Sequence, residues 1–314
     1  MASRRSCLYA FLVLFILAFE PTCKLVKATD IPPPLCRRVE GSSPDLLQFG
    51  LNLLYMQAEF SLCASDGEGI DIIAPDLVNG GPPSIGCTRA NLDDRTRAIL
   101  AELGFRSVRI IRDMYQTSSL IKEIPMPQID ISEATLRGFV YAALGVRDLT
   151  PPYNIYASKI NLLTAITLIV SLPRQYIQGI SPYIVGDVFQ QLASSILSSE
   201  SASFGLLRGE LFRNENETVV PYNFTLETLV ESGAQLVNRL AMCGLKDEGL
   251  TLRFQFGNAT NIIPFNPNVT AESRTAREVL RAVYGTGNAT APGGLLPRGA
   301  NGRIAEKIVS LKLI

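Results

Sequence analysis

The sequence contains no histidine among its 314 residues. Imidazole is the general base of Ser-His-Asp and Cys-His sites, a frequent metal ligand and the usual proton shuttle near physiological pH. Its absence excludes these catalytic arrangements and any histidine-ligated metal. Chemistry in this chain therefore has to use carboxyl, hydroxyl, amide, thiol, amino or guanidinium groups.

The sequence also lacks an excess of charge of either sign, because 29 basic residues balance 29 acidic residues. Without its first 28 residues the chain keeps 25 basic and 28 acidic residues, a net charge of about −3. Proteins that bind nucleic acids concentrate positive charge on one surface. We therefore expect no nucleic-acid partner.

The first 28 residues have the pattern of a secretory signal peptide. Arg4 and Arg5 form a basic start, and an apolar run follows from Leu8 to Phe19. Val26 and Ala28 supply the small residues that cleavage after Ala28 requires. The apolar run is too short to span a bilayer, which favours a cleaved signal over an uncleaved anchor. We predict no membrane span after cleavage.

Five N-glycosylation sequons without a central proline lie in the C-terminal third of the chain. One sequon occurs readily by chance, but five behind a signal peptide indicate a secreted glycoprotein. The acceptor residues are Asn216, Asn223, Asn258, Asn268 and Asn288.

Four cysteines remain after removal of the signal peptide, and four cysteines allow three pairings. An oxidising compartment favours disulfides over buried thiols. Cys87 and Cys243 both lie in loop-like stretches, so we predict that they pair with each other. Cys36 and Cys63 then pair by elimination, although Cys63 lies at the end of a helix.

Helical periodicity predicts four long helices and therefore a four-helix bundle with a long, irregular connection. The helices span about residues 45–64, 93–114, 157–172 and 184–212, the third ending at Pro173. We predict four segments: a signal peptide at 1–28, an N-terminal leader at 29–42, the bundle at 43–220 and a C-terminal extension of helices and loops at 221–314.

Several stretches between and after these helices resemble the plant desiccation-related proteins that carry a ferritin-like domain. The resemblance covers about residues 42–310 and is carried by Ile73–Leu77, Asn79–Gly86, Ala90–Asp93, Gly244–Leu250, Glu278–Arg281, Tyr284–Gly287, Pro292–Gly294 and Gly299–Ala305. It implies an all-α, ferritin-like four-helix bundle, secretion to the cell-wall space and association with drying stress.

Ferritin-like bundles generally hold two metals between inward-facing carboxylates and histidines. Relatives read Leu-Glu-Tyr-Leu-Glu on the first helix, Gln-Glu-Val-Gly-His on the second, and Glu followed three residues later by Gln or His on the fourth. The matching positions here, which the resemblance implies are degenerate ligands, are Leu54, Gln57, Ser107, Ile110, Glu200 and Ser203. Glu59 lies two residues beyond one lost carboxylate.

Only Glu200 keeps a carboxylate at these positions, so we expect no metal and no cofactor. We expect Glu200 to pair with Arg106 or Arg109 of the second helix. Apolar and hydroxyl side chains at the other positions avoid the cost of burying unpaired carboxylates. The sequence thus predicts a scaffold whose metal site has been filled in.

We hold three functional hypotheses. The first is a secreted glycoprotein that is not an enzyme, a structural or stress-associated component that contacts the cell wall or extracellular matrix. The second is a residual metal-dependent oxidase or peroxidase that uses Glu59 and Glu200. The third is a cell-wall carbohydrate-binding protein, which would have to stack sugars on tyrosine or phenylalanine because the chain has no tryptophan.

Overall fold

The structure, a computed structural model, describes residues 34–252, 259–264 and 271–311. The predicted signal peptide and most of the leader lie outside these residues. The described α-helices are α1 (Ser43–Asp66), α2 (Ile70–Ile73), α3 (Asp94–Thr117), α4 (Glu133–Leu144), α5 (Lys159–Ile180), α6 (Asp187–Arg213), α7 (Leu226–Ala241), α8 (Ala276–Tyr284) and α9 (Arg303–Ser310).

Shorter elements join these helices. Turns of 3-10 helix lie at Pro34–Cys36, Pro75–Leu77 and Ser181–Tyr183, and strands β1 (Thr251–Leu252) and β2 (Ala259–Thr260) form one small antiparallel pair. The chain is therefore essentially all-α, which confirms the predicted fold class.

Local sequence explains where the long helices begin. The side chains of Ser42, Asp93 and Ser158 each accept a hydrogen bond from a main-chain N–H in the first turn of α1, α3 and α5. Such caps satisfy donors that have no partner inside the helix. Helix α1 ends at Gly67, whose φ of 84° suits glycine.

The bundle consists of α1, α3, α5 and α6, the four helices that periodicity predicts. Helix α1 is its central element, because it packs against α3, α5 and α6 and is buried from Leu46 to Ser65. The connection between α3 and α5 is long and contains α4. One long crossover of this kind is typical of ferritin-like bundles.

Pro173 does not end the third bundle helix as predicted, since α5 continues to Ile180. Proline removes one helical hydrogen bond, but the residues after it are held by tertiary contacts. The Tyr176 hydroxyl donates to the main-chain oxygen of Leu46 at 2.7 Å, and its ring lies 4.8 Å from the ring of Phe49. Packing on α1 therefore maintains the helix beyond the proline.

The C-terminal helices pack on the bundle from two sides. Helix α7 contacts α4, α5 and α8, while α9 contacts α1. The Asn52 side chain on α1 bonds the main chain of Asn301 in both directions, at 2.9 Å and 2.8 Å. From Leu35 onward the chain forms one compact unit, and the division at residue 220 stays a prediction.

Helix α5 with the turn after it, Lys159–Tyr183, is the one described segment long and apolar enough to cross a membrane. Its most apolar window is 83% buried inside the protein. A core helix of a bundle passes the same test of length and composition.

The predicted pairing of Cys87 with Cys243 is wrong, because Cys87 is bonded to Cys63 with a Cα–Cα distance of 5.0 Å. The loop that carries Cys87 returns to the end of α1, where Ala90 N–H donates to the main-chain oxygen of Ala64 at 2.9 Å. Sequence gave no sign of this return, which places the loop cysteine beside the helix-end cysteine.

The second disulfide joins Cys36 to Cys243, with a Cα–Cα distance of 5.7 Å. The buried Arg281 side chain holds both regions, since it donates to the main-chain oxygens of Leu35 at 2.5 Å and Ala241 at 2.7 Å. This disulfide thus joins the segment before α1 to the C-terminal extension. The predicted pairing of Cys36 with Cys63 is therefore also wrong.

Candidate functional site

The six degenerate ligand positions face the bundle core or its edge. Leu54, Gln57, Ser107, Glu200 and Ser203 are at most 2% exposed, and Ile110 is half-buried. They come from α1, α3 and α6, the helices on which the resemblance placed them. The structure therefore brings the predicted positions into one interior region, even though their chemistry has changed.

Two serines of this region are satisfied by hydrogen bonds within their own helices. Ser107 Oγ donates to the main-chain oxygen of Leu103, and Ser203 Oγ donates to that of Ser199, each at 3.0 Å. Ser107 Oγ also accepts from Gln57 Nε2 at 3.0 Å. The hydroxyls therefore need no metal and no other partner.

Glu200 is the one acidic group in this region. Burial raises the pKa of its carboxyl to about 7, while a hydrogen bond from Gln57 and the charge of Arg106 oppose the shift. Glu200 Oε2 and Gln57 Oε1 are both buried and have no hydrogen-bond partner among the described residues. The core thus holds a buried carboxyl with a pKa raised to about 7, and one of its own oxygens and the amide oxygen of Gln57 are both unsatisfied acceptors.

The expected ion pair between Glu200 and an arginine of the second helix is not formed. Arg106 Nη2 donates to the main-chain oxygen of Ser199 at 3.0 Å, and Arg109 is exposed. Arg106 precedes the core-facing Ser107, so its side chain leaves α3 about 100° away from the core. It therefore reaches the outside of α6 and not Glu200.

This donor set does not fit the di-metal centre that ferritin-like bundles generally house. Such a centre needs several charged oxygen ligands and imidazole nitrogens, whereas these positions offer one carboxylate, one amide, two hydroxyls and two alkyl groups. Across the described residues, no group of three or more histidine, cysteine, aspartate or glutamate side chains is arranged to hold a metal ion.

Glu59 does not join Glu200, contrary to the second functional hypothesis. Its oxygens accept from Ile70 N–H at 2.7 Å and from Ser84 Oγ at 2.9 Å. Because Gln57 and Glu59 are two residues apart on α1, they point to opposite sides of the helix. Glu59 is a structural acceptor at the start of α2, with a pKa raised chiefly by burial.

A buried network of charged groups, which no sequence pattern indicated, lies between the bundle and the C-terminal extension. Arg174 Nη2 lies 2.9 Å from Glu272 Oε2, and Lys246 Nζ lies 2.5 Å from Glu278 Oε1. Arg208 lies 3.6 Å from a carboxylate of the same extension. The Gly244–Leu250 and Glu278–Arg281 stretches, quoted above for the resemblance, supply part of this network.

Three of the five predicted glycosylation sites can be located. Asn216, Asn223 and Asn288 are exposed, as an attached glycan requires. Asn258 and Asn268 lie outside the described residues.

Four core helices, a long connection between the second and third, and family ligand positions that face the interior define a ferritin-like bundle protein. The chain is 32% identical over 294 residues to the ferritin-like catalase Nec2 of Nesocodon mauritianus, and the match covers 92% of each chain. It is 28% identical over 311 residues to the desiccation-related protein PCC13-62 of Craterostigma plantagineum, covering 96% of each. The chain belongs to the desiccation-related ferritin-like family.

The chain matches no protein-family model and no solved structure. The relative from Nesocodon mauritianus corrects one expectation. Because this relative is named a catalase, the expectation that the present chain is not an enzyme is overturned.

Proposed function

We propose that this protein is a secreted, N-glycosylated, stress-associated member of the desiccation-related ferritin-like family whose bundle no longer forms a di-metal centre. The observation that carries the proposal is the composition of the core site, where Glu200 is the single carboxylate among six ligand positions. Its hydrogen-bond partner there is Gln57, and both serines are satisfied by main-chain oxygens.

Secretion and glycosylation are supported by independent features of the chain. Two disulfides point to an oxidising compartment, and the three sequons that can be located are exposed. We further propose that the partners are components of the cell wall or extracellular matrix, in accordance with the resemblance to secreted desiccation-related proteins.

A catalase is the second candidate, and identity to a relative of that name favours it. Disproportionation of hydrogen peroxide needs a group that accepts electrons from one molecule and returns them to another. Carboxyl, amide and hydroxyl side chains cannot do so, so the core site described above does not supply this chemistry by itself. A catalase reaction would require a redox group bound elsewhere in the protein.

Carbohydrate binding has weaker support. Among the described residues, Phe105 and Tyr183 are the exposed aromatic side chains, because the other phenylalanine and tyrosine rings are buried or half-buried. Sugar-binding surfaces generally present aromatic faces to the solvent. The described surface of this protein presents just these two aromatic side chains.

Metal analysis and oxygen evolution test the proposal on protein purified from a eukaryotic secretory host. We expect no stoichiometric iron or manganese in the wild type, and the same metal content in Glu200→Gln. One or two metal ions per chain that are lost in Glu200→Gln would contradict the proposed loss of the centre. Oxygen evolution from hydrogen peroxide that survives Glu200→Gln would support the catalase candidate with a redox group outside the core.

The secretory part of the proposal is tested on the same preparation. We expect an N-terminus at Thr29 and a loss of mass on treatment with an N-glycosidase. Replacing each sequon asparagine by glutamine should remove the corresponding mass increment. Retention of residues 1–28 together with an unchanged mass after glycosidase would show that the protein is not processed as proposed.

A further inference from the structure

The disulfide between Cys36 and Cys243 has a cation directly against it. Arg281 Nη1 lies 3.6 Å from the Cys243 sulfur and donates a hydrogen bond to it. The guanidinium is held in this position, because it also donates to the main-chain oxygens of Leu35 at 2.5 Å and Ala241 at 2.7 Å. Arg281 is 3% exposed, so water screens its charge only weakly from the sulfur.

A cation in this position favours cleavage of the bridge in one direction. Thiol–disulfide exchange begins when a thiolate attacks one sulfur of the bridge, and the other sulfur leaves as a thiolate. An arginine stabilises a neighbouring thiolate, and a more stable thiolate leaves faster. Attack at Cys36 is therefore favoured, because it places the departing negative charge on Cys243, beside Arg281.

A cavity of about 270 Å³ lies beside this bridge, whose two cysteines are both half-buried. Leu35 and Met242, the residues directly before the two cysteines, line the cavity together with Arg277 and Arg281. Met242 is exposed, so the cavity opens to the solvent. A small molecule can therefore approach the bridge, and the positive charge of the two arginines favours an anionic one.

The disulfide between Cys63 and Cys87 lies in different surroundings and provides a reference bridge. Cys63 is 0% exposed, and its sulfur lies 3.6 Å from the carboxyl oxygen Glu59 Oε2. Because Cys63 is buried, attack on this bridge has to occur at the half-buried Cys87. The departing charge would then lie on Cys63, away from water and beside an acidic group, which opposes the reaction.

We propose that the Cys36–Cys243 bridge is a thiol-exchange site, at which a small thiol that bears a carboxylate forms a mixed disulfide with Cys36. The sulfur of the attacking thiolate bonds to Cys36 Sγ, the bond between the two cysteines breaks, and its electron pair leaves with Cys243 as a thiolate. The proton of the thiol goes to the solvent. One disulfide replaces another, so no further oxidant or reductant is consumed, and attack of Cys243 on the mixed disulfide restores the bridge.

Contacts other than the bridge keep the segment before α1 in place after exchange. Val39 is buried, and Lys307 Nζ on α9 donates to the main-chain oxygen of Glu40 at 3.0 Å. The hydrogen bond from Arg281 to Leu35 is also independent of the bridge. We therefore expect the modified protein to stay folded, and exchange can be measured under native conditions.

Site-resolved exchange on the folded mature protein tests the proposal. The protein is incubated with mercaptoacetate and quenched in acid, free thiols are alkylated, and peptides are mapped by mass spectrometry without reduction. An Asn288→Gln background is used, because Asn288 also lines the cavity and is a predicted glycan acceptor. We expect Cys36–Cys243 to open at least about tenfold faster than Cys63–Cys87, with mercaptoacetate on Cys36 and the alkyl group on Cys243.

Two comparisons isolate the effects of charge. Mercaptoethanol is a neutral probe, and its rate relative to a small uncharged disulfide should show a weaker preference for the protein than that of mercaptoacetate. Arg281→Gln should slow the opening of the Cys36–Cys243 bridge about tenfold and leave the reference bridge unchanged. Arg109→Gln, on the exposed face of α3, is the matched control and should change neither rate.

The selectivity measured without any change at Arg281 is decisive by itself. Opening of the reference bridge at an equal or faster rate, or attachment of mercaptoacetate to Cys243 in place of Cys36, would overturn the proposal even if Arg281→Gln does not fold. A folded Arg281→Gln variant that opens as fast as its parent would overturn it as well. So would a neutral thiol that is preferred as strongly as the anionic one.

Discussion

Replacing Glu200 by glutamine should make the protein more stable at neutral and alkaline pH. The carboxyl is 1% exposed, one of its oxygens has no described partner, and burial raises its pKa to about 7 from a reference value of 4.5. Glutamine has the same shape but carries no charge at any pH, so it removes the cost of ionising this group in the core.

The sign and size of the effect follow from the difference between the folded and unfolded pKa. Below pH 4.5 the carboxyl is protonated in both states and contributes no pH dependence. As the pH rises, the unfolded chain loses its proton first, so stability falls until the pH passes about 7. Each pKa unit is worth about 1.4 kcal/mol, which gives a loss of about 3 kcal/mol above that pH.

The assay is equilibrium unfolding in urea at a series of pH values, with the disulfides intact. The free energy of unfolding of Glu200→Gln minus that of the wild type should be near zero in acid and rise to about 3 kcal/mol at about pH 8. Glu272 also has a pKa raised to about 7, but both proteins carry it, so its contribution cancels. Glu102→Gln, on the exposed face of α3, is the matched control and should show no such rise.

Two results would refute this reasoning. A difference that does not change with pH would mean that Glu200 does not titrate near neutrality in the folded protein. A variant less stable than the wild type at alkaline pH would mean that the ionised carboxylate has a compensating charge, such as a bound cation.

Two further predictions concern the core site and two glycines outside it. Restoring the family ligands with Gln57→Glu, Ser107→Glu and Ile110→His should destabilise the metal-free protein by several kcal/mol in urea unfolding, and a neutral result would show that this core contains water. Gly81→Ala would place a methyl carbon 2.2 Å from a main-chain oxygen and should lower the melting temperature strongly, whereas Gly138→Ala on α4 meets no atom within 4 Å and should stabilise the protein by about 0.5–1 kcal/mol.

The helices were predictable because their signals are local. Asp93 and Thr225 each accept a main-chain hydrogen bond at the start of α3 and α7, and apolar periodicity predicted the four long helices of the bundle. Pro173 shows the limit of local reasoning. Its effect on the helix was outweighed by the burial of Tyr176 on α1, a contact between residues 130 positions apart.

The contents of the core site were predictable, but its electrostatics were not. The resemblance placed Ser107 and Glu200 among inward-facing ligand positions, and both lie in the interior. Helical spacing turns Arg106 about 100° away from the core-facing Ser107, but the part of α6 that its side chain then meets depends on how the two helices pack, which spacing along the chain does not give. The prediction of an ion pair failed for this reason.

Long-range contacts were the least predictable part of the structure. The pair between Arg174 and Glu272 joins residues 98 positions apart, and the disulfide from Cys36 spans 207. Charged residues in a sequence are usually solvated, so nothing in the composition marked these as buried. The stretches that carried the resemblance do supply Lys246, Asp247 and Glu278 of the buried charged network.

The hydrogen-bonding groups around Glu200 favour the protonated form of its carboxyl. Glu200 Oε2 and Gln57 Oε1 are both acceptors, and neither has a partner among the described residues. An ionised carboxylate can only accept hydrogen bonds, whereas a protonated carboxyl can also donate one. A proton on Glu200 therefore converts one unsatisfied acceptor into a donor and removes a buried charge at the same time. One proton on Glu200 neutralises the buried negative charge that metal ions would balance in a di-metal centre. We therefore expect the core of this bundle to be most stable below the pKa of Glu200.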